Sequence, residues 1–177
     1  AAITAAYSAS RGTGGKVYLL AGDYSVNGTT TMATGTALIG SGNGTVIKLA
    51  NGVNLGTVGA PLEIISANNT PYITIADLYV DGNKGNNTGS QNGIQFTGVA
   101  TSTIRNVMAS GTNQYGIILS ASNNITITGN TINRNTTGGI VLALSQGSIV
   151  SGNIINFNAS YGIFNNFSNN NLISGNT

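Results

Sequence analysis

Four Gly-Ile pairs recur at a constant step in this chain: Gly93-Ile94, Gly116-Ile117, Gly139-Ile140 and Gly162-Ile163, each 23 residues after the one before. Two further rows keep the same register. Ile104, Ile127, Val150 and Ile173 form one, and Gly129-Asn130, Gly152-Asn153 and Gly175-Asn176 form the other. Three rows in one register define a repeat. A repeat of this length confines the chain to a stacked architecture, because a single unit cannot bury its apolar side alone and stacking creates a continuous core.

Within one period the apolar residues alternate with others, as in a strand. In Gly139-Ile-Val-Leu-Ala143, Ile140 and Leu142 fall on one face and Val141 and Ala143 on the other. Asn124-Ile-Thr-Ile-Thr128 alternates Ile with Thr, and a third short segment, Thr131-Ile132, returns as Ile154-Ile155. Three short strands per 23 residues, with Gly and Asn at the corners, describe one coil of a triangular parallel β-helix. Gly and Asn suit corners because both tolerate left-handed backbone angles. Coils should then stack at the strand spacing of about 4.8 Å, Ile upon Ile.

The expected fold is therefore all-β: a single-stranded right-handed parallel β-helix of one domain, residues 1–177. Residues 90–177 are the regular coils and residues 14–89 irregular earlier ones. Lys16–Leu20, Thr36–Ile39, Thr45–Leu49, Leu62–Ile65 and Tyr72–Ile75 are strand-like segments between turns. The Ala-rich start, residues 1–10, reads as a short helix capping the open end of the core. After Leu172-Ile-Ser-Gly-Asn176 the pattern calls for another strand, so more coils or a capping partner are expected beyond Thr177.

Composition narrows the function. Charged residues make up 6% of the chain, against about 25% in an average soluble protein, and neutral polar residues take their place. The six cations are scattered, which excludes the clustered Lys/Arg footprint of a nucleic-acid binder. No apolar run reaches membrane-spanning length. With no Cys there are no disulfides and no thiolate metal sites.

Gly14-Gly-Lys-Val-Tyr-Leu-Leu-Ala-Gly-Asp-Tyr24, followed by Ala37-Leu-Ile-Gly-Ser-Gly-Asn-Gly-Thr-Val-Ile47, resembles the first coils of the pectate-lyase superfamily, the pectin-lyase-like right-handed β-helices that include phage tailspikes. Ile75-Ala-Asp-Leu-Tyr-Val-Asp-Gly-Asn83 and the later coils are similar to that family's generic repeat. One departure is Leu20, where Pro is common. The resemblance implies a carbohydrate lying along the strand opened by Gly-Ile, with carboxylates and nearby Lys, Arg or His as acting groups. On that strand the outward row is Gln95, Ile118, Val141 and Phe164, followed by Thr97, Ser120, Ala143 and Asn166. Neither row contains an acid or a base. The stripe Ile118, Val141, Phe164 suits a contact surface for protein or for sugar.

Asp77 and Asp81 are the only close pair of carboxylates, and two carboxylates can divide acid and base roles in glycoside hydrolysis. Asp81 opens an expanded loop, Asp81-Gly-Asn-Lys-Gly-Asn-Asn-Thr-Gly89, in which Lys84 could serve as base or clamp; ordinary turn chemistry is the favoured account of Asp-Gly-Asn. Glu63 reads as a solvated outward residue. No metal site or cofactor is expected, beyond a weak calcium site formed by Asp77 or Asp81 with loop carbonyls. Sequons at Asn27, Asn43, Asn68, Asn86, Asn124, Asn135, Asn158 and Asn166 permit glycosylation.

Two functions fit. One is an extracellular, cell-surface or virion-surface scaffold that binds polysaccharide or a surface glycan, or cleaves it as a lyase or glycoside hydrolase; the acid-poor face favours the non-catalytic form. The other is a purely structural solenoid that self-associates laterally or end to end into a stalk or fibre.

Overall fold

The computed structural model describes residues 14–177, so the expected helix over residues 1–10 lies outside the described residues. Three parallel sheets form the sides of a right-handed β-helix. Sheet A stacks β1 (Gly15–Tyr18), β4 (Thr36–Ile39), β7 (Thr74–Ala76), β10 (Ala100–Arg105), β13 (Asn123–Thr128), β16 (Ile149–Ser151) and β19 (Leu172–Ser174). Sheet B stacks β2 (Gly22–Val26), β5 (Thr45–Leu49), β8 (Tyr79–Asp81), β11 (Met108–Ser110), β14 (Thr131–Asn133) and β17 (Ile154–Asn156). Sheet C stacks β3 (Thr30–Thr31), β6 (Leu62–Asn68), β9 (Gln91–Thr97), β12 (Tyr115–Ser120), β15 (Gly138–Ala143) and β18 (Tyr161–Asn166).

The repeat rows become stacked side chains. Ile94, Ile117, Ile140 and Ile163 pair in register in sheet C, with Ile65 one coil below. Leu38, Ile75, Ile104, Ile127, Val150 and Ile173 do the same in sheet A. Except for Ile163 and Ile173 in the last coil, these residues are sealed from solvent. Burying one such side chain contributes about 1.5–3 kcal/mol, so the ladders are the main source of stability.

Gly and Asn divide the corners differently from the sequence expectation. At Gly129, Gly152 and Gly175 the glycine takes the left-handed angle, while the Asn that follows turns inward. Asn130 and Asn153 are buried, and their amides satisfy backbone groups of adjacent coils. Asn106 and Asp77 occupy the same left-handed position in earlier coils, at φ 52° and 57°. Gly93, Gly116 and Gly139 serve a third purpose. A Cβ at Gly116 would collide with Ile132 Cγ2 and approach Asn135 Nδ2 at 2.8 Å, so only glycine lets this strand close on the interior.

The earlier coils are longer and uneven. Ala37 pairs with Thr74 and Thr74 with Thr103, whereas later partners lie 23 residues apart. Two strands had no expectation, β2 and β3. Tyr72 is a corner residue at φ 62° and not part of a strand. The segment 81–89 projects a single 3₁₀ turn, Lys84–Asn86, anchored by Asn83 and Asn87, whose Nδ2 groups donate to the carbonyls of Leu49 and Ala50.

Candidate functional site

Sheet C presents its outer face as three rows. The central one runs Ser66, Gln95, Ile118, Val141, Phe164, as the register of its strands requires. On one side lie Glu63, Asn92, Tyr115, Gly138 and Tyr161; on the other, Asn68, Thr97, Ser120, Ala143 and Asn166. The face begins as amides and hydroxyls and ends apolar. Asn92 Nδ2 donates to Gln95 Oε1 at 2.9 Å, and Gln95 Nε2 donates to Thr97 Oγ1 at 3.2 Å. Val141 is only 5% exposed, closed in between Ile118 and Phe164, whereas Phe164 is 37% exposed.

Tyr161 belongs to this face and was not singled out from the sequence. Its ring stacks on that of Phe164, with centroids 4.9 Å apart and planes 16° from parallel. Gly138 leaves room for the Tyr115 ring, which a Cβ there would meet at 3.2 Å. The signal was present in the repeat, since Tyr115, Gly138 and Tyr161 follow the same step one residue before each glycine of the Gly-Ile pairs. Glu63 stands on this face but is buried, not solvated.

The charged candidates lie elsewhere. Asp81 ends β8 in sheet B, where its Oδ2 stands 3.6 Å from Lys48 Nζ and its Oδ1 accepts the Asn83 backbone N–H at 2.8 Å. Asp77 occupies the corner before β8, 3.1 Å from Arg105 Nη1, and its Oδ1 accepts Asn106 Nδ2 at 3.0 Å. The two carboxylates thus stand at opposite ends of β8, each with its own cation. Lys84 donates to the Arg134 carbonyl at 2.6 Å. Lys48 was missed because it comes from an irregular coil, where sequence distance does not reveal alignment.

Tyr79 shares the outer face of β8. Its phenol is pushed above the ordinary value, first by burial and then by the negative charge of Asp81, with Ser110 and Arg134 acting in the opposite sense. It is suited to donate a hydrogen bond and ill suited to act as a base. Beside Asp77 an open groove of about 290 Å³ runs along the corner between sheets A and B, lined by Asn43, Asn106, Met108 and Thr131 among others. Two of the sequons, Asn135 and Asn158, are occupied by ladder bonds to the carbonyls of Ala109 and Ile132.

Similar architectures occur in solved structures. The A-module of the mannuronan C-5 epimerase AlgE4 of Azotobacter vinelandii aligns over 98% of this chain and 52% of its own, at 25% identity and TM-score 0.79. The A-module of AlgE6 from the same organism aligns over 99% and 52%, at 24% identity and TM-score 0.81. A Parabacteroides merdae protein assigned provisionally to the glycosyl hydrolases aligns over 99% of this chain and 88% of its own, at 17% identity and TM-score 0.82. The chain therefore spans about half the length of the epimerase modules. Comparison with curated proteins finds no match.

Residues 23–177 match the family described as "Periplasmic copper-binding protein (NosD)". Copper sites draw on thiolate, thioether and imidazole donors. The chain has neither Cys nor His. Of its two methionines, Met32 is buried in the core and Met108 stands half-exposed on sheet B, and no group of three acids converges among the described residues. These residues do not fit a copper ion. With the match running over most of its length, the chain nonetheless belongs to the NosD family.

Proposed function

We propose that this β-helix is a polysaccharide-binding module acting outside the cytoplasm, with the outer face of sheet C as its binding surface. The observation that carries the reading is the stacked Tyr161–Phe164 pair at the end of a row of amides and hydroxyls. A sugar ring has an apolar C–H face and a rim of hydroxyls. An aromatic ring accepts the first and amide groups the second, without any charge. The named activities of the similar structures, a mannuronan epimerase and a protein assigned to the glycosyl hydrolases, support a carbohydrate partner. The family's periplasmic description supports a location beyond the cytoplasm. No helix among the described residues is long and apolar enough to cross a membrane.

The placement of the acids favours binding over cleavage, because Asp77 and Asp81 lie at sheet B, each engaged by its own cation, and the only acid on the rows of sheet C is the buried Glu63. Affinity electrophoresis against immobilised neutral and acidic polysaccharides tests the proposal. Retardation by at least one polymer, lost in Phe164→Ala, is the expected result; migration unaffected by every polymer would dismiss it.

A further inference from the structure

Two phenylalanines bracket β18 at its corners, and both hold backbone angles that a bulky side chain rarely adopts. Phe157, at the corner leading into the strand, has φ 54°; Phe167, at the corner leaving it, has φ 46°. They are 78% and 82% exposed. The corresponding corners one coil earlier hold Arg134 and Leu144, and two coils earlier Gly111 and Ala121, so the fold does not require an aromatic residue there. Among the described residues, neither phenylalanine is packed into the hydrophobic core. Such residues persist where a contact outside the chain repays them. With Tyr161 and Phe164 between them, four aromatic residues lie along one coil over a strand on the order of 20 Å long.

Charge identifies the occupant. From residue 106 onward the chain has a single charged side chain, Arg134. The three outer rows of sheet C contain one, Glu63, an anion. A polymer with a carboxylate on every ring needs repeated cations, and this coil supplies none beyond Arg134 below Phe157. Lys48 and Lys84 belong to sheet B and its loop, away from this coil. Resting on the carbohydrate reading of this face, we infer that β18 and its two corners form a platform for an uncharged glycan, lying across the solenoid along one coil, with Phe157 and Phe167 as its outer contact points.

The test is titration calorimetry with a soluble neutral glucan and with alginate, on the full chain and on the double variant Phe157→Gly, Phe167→Gly. Glycine suits the positive φ at both corners, so the variant should melt at or above the temperature of the parent. The expected result is binding of the glucan in preference to alginate, weakened at least tenfold in the double variant. Preference for alginate, lost on Lys84→Ala or Arg134→Ala, would overturn the platform and leave the carbohydrate reading standing. Glucan affinity unchanged in the double variant would likewise overturn it. No binding of either polymer, together with concentration-dependent dimerisation abolished by the double variant, would overturn both and assign the face to a second copy.

Discussion

Asn153 Oδ1 accepts the backbone N–H of Asn130 at 2.9 Å, one coil below, while the Asn153 Nδ2 donates to the Ile127 carbonyl at 3.0 Å. One buried amide thus satisfies a corner N–H and a carbonyl of β13 at once. Asn153 is in turn held by Asn176 Oδ1, which accepts its backbone N–H at 3.0 Å. Asn153→Leu would strand a buried donor and a buried acceptor, at a cost of about 2–5 kcal/mol. Urea denaturation should show a lower midpoint with an unchanged slope. A midpoint within error of the parent would mean the ladder is dispensable.

Ile140 lies fully buried between Ile117 and Ile163. Ile140→Asp places a charge where no cation can reach it, and should destabilise by more than about 4 kcal/mol, among the largest single-residue effects. Ile140→Val should cost only about 0.5–1.5 kcal/mol. Equal melting temperatures for the two variants would contradict the inward register of sheet C.

Tyr79 gives the alkaline limb of the stability curve a definite sign. Burial and Asp81 raise its pKa in the folded state above 10.0, so the unfolded chain loses the phenolic proton first as pH rises. Stability from this group is complete below pH 10 and declines above it. Tyr79→Phe should flatten the fall in melting temperature as pH rises above about 10. An identical fall in both proteins would show that Tyr79 does not contribute.

Where cleavage of a polysaccharide is detected, Asp81 is the residue assigned to it, with Asp77 and Lys84 secondary. Asp81→Asn preserves shape and removes the carboxylate, so the rate should drop at least ~100-fold. Cleavage that survives this change, measured as new reducing or unsaturated ends, would remove the assignment.

Copper offers a test of what family membership means here. Titration with Cu(I) or Cu(II) should leave the melting temperature unchanged and give no saturable heat, since no soft donor pair is present. A stoichiometric rise in melting temperature would require a site built from amides and carboxylates.

The regular coils were legible in the sequence because a solenoid converts a fixed sequence separation into a spatial neighbour. Ile117 must lie beside Ile140 once the step is known, and Gln95, Ile118, Val141 and Phe164 must share an outer row. The tertiary structure decided what depends on coils of unequal length. Lys48 reaches Asp81 and Arg105 reaches Asp77 through earlier coils that keep no common step, so no periodicity could pair them. It also decided the division of labour at corners, because Gly129 and Asn130 are neighbours in sequence yet one turns the chain and the other enters the core. The same holds for Phe157 and Phe167. Their residue type is plain in the sequence, but their left-handed, exposed conformations follow from where the corner places the backbone.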